Sequence, residues 1–524
     1  MQLYIEFVRD LSHMKGEKEM SNYVTEDFTE EFMESLSNEW LYLIGGECGS
    51  GKTTAIMEKL VPYAAKNNKS VLYVCNRTAL KDQLKQKYKH EDTLLHENPL
   101  KEVNDNLTIG MYQSITTSLE HRNMFLYAQH YDYVILDEAH LIYDASDYDI
   151  NAFMFLEYLN QLESVIIALS GTPKSVIKMK EYLSRNINVI REVDKTNNPI
   201  RNIYLVENRD EFETLRKKYL DNGYKWFELV SKSNQFIGFK NSLKNYEAAT
   251  ILSNSNPKKN IYMTDYDELI LNFIVEEEEL MCDALAATKV LDVGVNINAH
   301  ENFVVAFDCV EIPNTLEQFR SRIRVNKNKH YHVDLIFYVQ KPPLWIIKQL
   351  KEKINDIEQV YKSLGDYETI VREHKQVIGE RFRESGVISE RKYNPITKKL
   401  LNEKLTFYKA IYDSKNVLEY YREMLKEMYP CATVTNISAV KVVEFFEELF
   451  QGKNVYTLDE EQKDLLKAKM KEIQIDRRHS NEVPSLLRIN NYLKKEQLPY
   501  VIKSKKTRIN GNQKRVWQLL KYII

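Results

Sequence analysis

The sequence predicts an α/β chain of two tandem parallel-sheet lobes, followed by a helical region and a small basic C-terminal module. Three observations carry that class. Short apolar runs suited to buried strands lead into glycine turns and amphipathic stretches, as in "LYLIGGECGSGKTTAIMEKL". A second unit repeats the alternation from residue 197 onward. The last stretch changes character: from Arg477 to Ile524, twelve Lys/Arg face two Asp/Glu, a net +10 that leaves −13 for residues 1–476 of a chain totalling −3. The expected divisions are an extension over 1–39, lobe 1 over 40–196, lobe 2 over 197–341, a helical region over 342–476 and the basic module over 477–524.

With 524 residues the chain exceeds the ~250–300 that one core holds. Hydrophobic residues at 43% and charged residues at 28% are those of an ordinary globular protein. No apolar run approaches the ~18–20 residues of a membrane span. "MQLYIEFVRD" lacks a signal-peptide pattern, so a cytoplasmic protein without a membrane partner is expected. Cysteines 48, 75, 282, 309 and 431 form no CxxC pair, so neither a zinc site nor a disulfide framework is indicated.

In the first lobe, Leu41 to Ile44 reads as a strand entering Gly46-x4-Gly51-Lys52-Thr53, followed by a helix. Four of the fifteen glycines (45, 46, 49 and 51) crowd into this turn. Glycines let backbone N–H groups wrap a phosphate, and the helix N-terminus adds its dipole. Lys52 should reach the β- and γ-phosphates of ATP and Thr53 should ligate Mg2+, with Gly49, Ser50 and Thr54 completing the cradle. Val134 to Leu136 reads as another strand, ending in Asp137-Glu138. Asp137 suits the metal, and Glu138 the attacking water.

Asp137-Glu138-Ala139-His140 is the DEAH form of this acidic motif, and residues 40–340 resemble superfamily 2 helicases. The resemblance implies two RecA-like lobes clamping ATP and Mg2+. It makes Asn76 and Arg77 of "VLYVCNRTALKDQL" and the Tyr112-Gln113 tip of "LTIGMYQSI" nucleic-acid contacts. His140 and the Ser170-Gly171-Thr172 turn of "VIIALSGTP" would couple hydrolysis to movement. In lobe 2, Lys225 to Val230 and Ala248 to Ser253 read as strands, Asn234 to Tyr246 as a helix, and Glu276 to Glu279 as an acidic helix start. "DALAATKVLDVGVNI" is similar to the family's fifth motif, with Thr288 facing nucleic acid and Gly294 turning toward the ATP cleft.

The sixth motif would be "LEQFRSRIRV". Its Gln318-x-x-x-Arg322-x-Arg324 form departs from the common Gln-x-x-Gly-Arg-x-x-Arg and is similar to the branch of herpesvirus origin-binding proteins and plasmid and phage replication helicases. That likeness implies Gln318 at the lobe interface and Arg322 and Arg324 at the γ-phosphate. Arg320 would pair with a surface carboxylate or DNA.

Past Pro342-Pro343 the stripe Ile347, Leu350, Ile354, Ile357, Tyr361 predicts a helix packed on the lobes. At the end, a helix and two strands around Asn510-Gly511 resemble a winged-helix module. Lys503, Lys505, Lys506, Arg508, Lys514 and Arg515 would meet phosphates. The reading is an ATP-dependent DNA helicase or translocase acting on single-stranded or forked DNA rather than RNA, with replication proteins of a phage, plasmid or other mobile element as further partners. Its rivals are a defence or repair translocase and a nucleic-acid-gated ATPase switch that never unwinds.

Overall fold

The computed structural model describes residues 23–47, 49–75, 106–115, 131–146, 152–193, 200–252, 256–289, 296–325, 331–363, 388–389, 392–393, 395–450, 455–473, 475, 482–509 and 512–522. The first sheet comprises β1 (Trp40–Gly45), β2 (Val71–Cys75), β3 (Leu107–Met111), β4 (Tyr133–Leu136), β5 (Val165–Ser170) and β6 (Asn186–Arg191). Their order is β3-β2-β4-β5-β1-β6, and every neighbouring pair is parallel. Segments such as VLYVC and YVIL are buried on both faces, which is why they are continuously apolar. The helix α1 starts at Lys52–Ala55 and continues through a π turn over Ile56–Leu60 into Val61–Lys66, covering one face.

The second sheet is built the same way from β7 (Ile200–Val206), β8 (Lys225–Val230), β9 (Ala248–Ile251), β10 (Ala284–Ala287), β12 (Phe303–Asp308) and β14 (Val333–Tyr338). The short pair β11 (Ile297–Ala299) and β13 (Ile323–Val325) stands apart. One further strand comes from far downstream. After the small hairpin of β15 (Ile388–Ser389) and β16 (Lys392–Tyr393), β17 (Thr433–Asn436) pairs in parallel with β7, giving the order β17-β7-β14-β12-β8-β10-β9. Two tandem parallel-sheet α/β lobes are therefore present, as the alternation of strands and helices predicts. Helices flanking lobe 2 include α2 (Arg209–Asp221), α3 (Gln235–Ser242) and α4 (Asp265–Glu277).

One local expectation is overturned in lobe 2. Glu276 to Glu279 do not start a helix; they end α4, and Glu278 adopts φ +57° as its C-cap. The helix begins upstream, where Thr264 and Asp267 form a reciprocal capping box. The acidic run thus sits at the unfavourable end of the dipole. Glu278 offsets this by accepting hydrogen bonds from Asn296 and Asn298.

"LEQFRSRIRV" is neither a strand nor a helix throughout. The helix α5 (Pro313–Arg320) stops at Ser321, and β13 follows. Arg320 ends a helix, Arg322 lies in the turn and Arg324 is in a strand, so their alternation in sequence does not place them on one face.

The described helices after lobe 2 pack on the two lobes. In α6 (Leu344–Ser363), Ile347, Leu350, Ile354 and Ile357 are buried as the stripe predicts. The helix α7 (Pro395–Asp413) bridges the lobes. Ile396 and Leu400 join the core of lobe 1, while Leu401, Tyr408 and Ile411 join that of lobe 2. At its start the Thr397 hydroxyl donates to the Ser146 carbonyl (2.7 Å), and further along Lys178 donates to Glu403 (2.5 Å). The helix α8 (Val417–Met428) packs beside it on lobe 2.

The C-terminal core joins α9 (Ile437–Phe450), β18 (Val455–Leu458), α10 (Glu460–Glu472), α11 (Leu486–Lys495), β19 (Tyr500–Ile509) and β20 (Asn512–Lys521). The sheet order is β18-β20-β19, fully antiparallel. Helix, strand, two helices and a long hairpin form one unit around Phe446, Leu466, Leu493 and Leu519, so residues upstream of 477 share its core.

Candidate active site

The phosphate loop joins β1 to α1. Gly51 caps α1 with φ +84°, a conformation costly for any residue with a Cβ. The loop is docked on the sheet by a bond from the Gly46 N–H to the Ser170 carbonyl (3.1 Å). Gly49 also lies at positive φ, and the Ser50 hydroxyl is buried without a partner among the described residues. Lys52, only 8% exposed, donates to the carbonyls of Gly46 (2.6 Å) and Glu47 (2.9 Å) and makes no ion pair among the described residues. Its ammonium is held by weak acceptors that a phosphate would outcompete. Thr53 and Thr54 occupy the first turn of α1.

Asp137 and Glu138 lie beyond β4. The Asp137 N–H still bonds the Val74 carbonyl (2.9 Å), so Asp137 stands at the C-terminal end of β4, between β2 and β5. Burial, then the neighbouring Glu138 charge, pushes the Asp137 carboxyl up to about 6. A cation beside it would relieve both causes. Glu138 takes φ +49°, a strained turn for a side chain of its kind. Burial acts to raise its carboxyl as well, but His140, Lys52 and Arg322 outweigh burial and hold it below the usual carboxylate range. A group so placed is kept as the carboxylate.

His140 bridges two motifs. Its Nδ1 is 3.4 Å from Glu138 and 3.1 Å from the Ser170 hydroxyl, which in turn accepts the Thr172 N–H (3.0 Å). The Thr172 hydroxyl is buried without a partner among the described residues. Acid, imidazole and strand-end turn thus stand in one polar row, with the His140–Ser170–Thr172 part hydrogen-bonded.

Lobe 2 supplies cations. Gln318, 8% exposed, reaches Asp144 of lobe 1 (3.4 Å), and its carbonyl accepts the Arg322 Nε–H (3.1 Å). Arg322, 5% exposed, is held where its charge acts on Glu138. Arg320 departs from the sequence reading: it is 3% exposed, ion-paired with Glu317, and lies 3.9 Å from Glu47 of the phosphate loop. It pairs with carboxylates, but inside the cleft and not on the surface. Arg324 pairs in register with Asn298, and its Nε is buried without a partner among the described residues.

Sequence reasoning missed the latch beside these arginines. The Ser175 hydroxyl donates to Asp144 (2.8 Å), and Asn314 donates to Ser175 (2.8 Å). Asn314 lies one helical turn before Gln318, the only signal that both face lobe 1. Tyr429 donates to Glu317 (2.6 Å), tying the end of α8 to the arginine helix. A cavity of about 440 Å³, lined among others by Glu47, Thr172, Asn314, Glu317 and Tyr429, separates the lobes beside this latch. The lobes therefore meet through polar contacts around open space.

The metal expected here fits the donor set. The Thr53 hydroxyl and the Asp137 carboxylate are two protein oxygens, and Mg2+ usually takes few protein ligands, completing its shell with phosphate oxygens and water.

The nucleic-acid candidates are more scattered. Gln113 is exposed beyond β3, whereas Tyr112, expected at the same tip, turns inward and donates to the Asp137 carbonyl (2.9 Å). Thr288 is half-buried at the end of β10. Asn76, Arg77 and Gly294 lie outside the described residues. Lys503, Lys505, Lys506 and Arg515 are exposed on β19 and β20, and Arg508 and Lys514 belong to the same strands.

A family model described as "Type III restriction enzyme, res subunit" matches residues 15–175, a stretch that ends within lobe 1. Comparison with curated protein sequences finds no match. Among solved structures, the chain is similar to S. cerevisiae Dbp5 bound to RNA and ADP BeF3, at 15% identity and a TM-score of 0.45, over 76% of this chain and 97% of that one. A single-residue variant of Dbp5 with the same ligands gives 14% and 0.44, over 74% and 93%. The DUF1998 helicase MrfA bound to DNA gives 13% and 0.41, over 76% of this chain and 55% of that one.

Proposed function

We propose that the chain is an ATP-hydrolysing motor that acts on nucleic acid, a helicase or translocase of superfamily 2. The observation that carries this reading is the division of one site between two lobes. Lys52, Thr53, Asp137 and Glu138 belong to lobe 1, and Arg322, facing Glu138, belongs to lobe 2. Hydrolysis at such a site depends on how the lobes stand to each other, so a ligand that shifts the lobes controls the rate.

The roles follow from the geometry. Lys52 leaves the Gly46 and Glu47 carbonyls for the β- and γ-phosphates. Thr53 and Asp137 would hold Mg2+, which would supply positive charge against those phosphates. Glu138, ionised and fixed by His140, takes the proton of the attacking water. Arg322, and Arg324 if the turn swings it inward, neutralises the charge that develops on the γ-phosphate; such a finger can be worth ~10³–10⁵ in rate. Ser170 and Thr172 pass the state of Glu138 to the strand end through His140.

DNA is the proposed track. The C-terminal unit has the helix, strand, helix, helix, hairpin order of a winged helix, and its hairpin carries the exposed cations. Counting it from 437 keeps one core intact; the remaining divisions stay at 40–196, 197–341 and the helices between. Replication of a mobile element is the setting that the Gln318-x-x-x-Arg322-x-Arg324 pattern favours. A second reading, a nucleic-acid-gated switch that does not unwind, is favoured by α7, whose docking on both lobes restricts their travel. ATPase rates against single-stranded, forked and duplex DNA and RNA, read beside strand displacement, test both. Stimulation with displacement supports the motor; stimulation without it supports the switch. No stimulation by any nucleic acid refutes both.

A further inference from the structure

The strand β2 reads Val71, Leu72, Tyr73, Val74, Cys75, and only Tyr73 brings a hydroxyl into it. The ring is fully buried, on the sheet face that α1 covers, in the same cluster as Ala55 and Ile56. Tyr73 stands opposite Ile135 in the ladder, and Asp137 follows Ile135 by two residues, so Tyr73 and Asp137 share a face. The hydroxyl is within interaction range of both the Asp137 carboxyl and the Thr53 hydroxyl. Yet among the described residues it meets neither at ordinary hydrogen-bond geometry. The contrast with Tyr112 is direct: that buried hydroxyl is satisfied by the Asp137 carbonyl at 2.9 Å. Burying an unpaired hydroxyl is costly, and an aliphatic side chain would fill the strand position without the cost.

We infer that Tyr73 is a positioning residue for the divalent cation that accompanies the nucleotide, its hydroxyl bonding a water of the hydrated ion held by Thr53 and Asp137. The inference rests on the proposed nucleotide site. A hydrated cation is the ligand class that fits, because Mg2+ retains several waters and each needs an acceptor or donor in its outer shell. Thr53 and Asp137 supply the inner contacts, and Tyr73 then supplies an outer one.

The test uses the full-length chain and a fluorescent ADP analogue, titrated with Mg2+ at fixed nucleotide. In Tyr73→Phe, which keeps the ring and removes only the oxygen, the Mg2+ concentration for half-maximal binding should rise about tenfold, the lower end of what outer-shell substitutions cost metal sites. Thermal unfolding of the nucleotide-free variant should show a melting temperature equal to or above that of the parent, since a buried unpaired oxygen is gone. An unchanged Mg2+ midpoint overturns the inference. So does a lowered melting temperature with binding unaltered, which would make the hydroxyl structural. If the parent binds the analogue equally with Mg2+ and with chelator, the metal reading itself fails, and the inference with it.

Discussion

The two lobes share a sheet architecture and treat buried charge in opposite ways. In lobe 2 the buried carboxylates are matched. Glu228 meets Arg216 at 2.9 Å, with both side chains 1% exposed; Asp308 meets Arg209 at 2.5 Å; Asp267 meets Lys240 at 2.6 Å; and Asp334 takes hydrogen bonds from Asn202 and Tyr219. Lobe 1 pairs Arg191 with Asp27 at 2.7 Å, but at the phosphate loop Lys52 bonds main-chain carbonyls, and the Asp137 carboxylate has the Glu138 N–H and the Tyr73 hydroxyl as neighbours; neither makes an ion pair among the described residues. A buried charge without a partner is expensive, so a fold keeps one only where something else will complete it. Paired charges hold a lobe together; unpaired ones await a ligand.

That contrast can be broken most sharply at Glu138. Glu138→Gln keeps the shape and removes the base. We expect turnover to fall by about 10³-fold or more, within the range general-base removal spans, while nucleotide affinity stays within a few-fold. Lys52→Ala should instead weaken binding. Equal affinity losses in both variants would refute this division of roles.

The opposite outcome is expected at Arg216. Its guanidinium pairs with Glu228 and lies about 5 Å from the rings of Phe212, Trp226 and Phe239. Arg216→Leu strands Glu228 and should cost about 3–5 kcal/mol of stability. Denaturant unfolding would read that loss, while kcat per folded molecule stays near the parent value. A loss of kcat without loss of stability would show that lobe 2 also holds functional charge on its far face.

What could be read from the chain divides along related lines. The phosphate loop and the Asp137-Glu138 turn were legible because their backbones need particular residues at fixed spacing, as φ +84° at Gly51 shows. The strand β17 was not: four residues, TVTN, pair with β7 more than two hundred positions upstream, and nothing local announces the partner. The Glu276–Glu279 run misled because acidic residues mark helix starts on average. Here the stronger signal, Thr264 with Asp267, lay twelve residues earlier. Arg320 was misplaced for a related reason. Spacing alone could not show the break at Ser321 that turns Arg320 toward Glu47.

The arginines sharpen the comparison from the lobe 2 side. Arg322→Lys keeps a charge and loses the planar fork. The nucleic-acid-stimulated rate should fall about 100-fold, or ~2.7 kcal/mol of transition-state stabilisation, with little change in ATP binding. Arg324→Lys should fall as far if its guanidinium enters the cleft on closure, and stay near the parent if it remains on β13. Arg320→Lys should now fall as well, because the side chain is buried against the phosphate loop. A full-rate Arg320→Lys would restore the surface role the sequence suggested.

The smallest effect is expected at the C-terminal hairpin, where charge is unpaired for a different reason. Lys506 and Arg515 stand directly opposite each other on β19 and β20. Like charges in such a pair repel and destabilise the hairpin. Neither they nor Lys503 and Lys505 make an ion pair among the described residues, although Lys521 and Arg488 of the same unit pair with Glu447 and Glu482. Repulsion of this kind is relieved by a polyanion. Unlike the buried Lys52, these side chains are solvated, so each contributes modestly and in a salt-dependent way. Replacing Lys503, Lys505, Lys506 and Arg515 together with glutamine should flatten the plot of log affinity for DNA against log salt. Each cation that meets a phosphate contributes about 0.9 to the slope, so the change should approach about 3.6. ATP hydrolysis without nucleic acid should be untouched, since the cleft lies in the lobes. An unchanged slope would make this surface a protein-docking face.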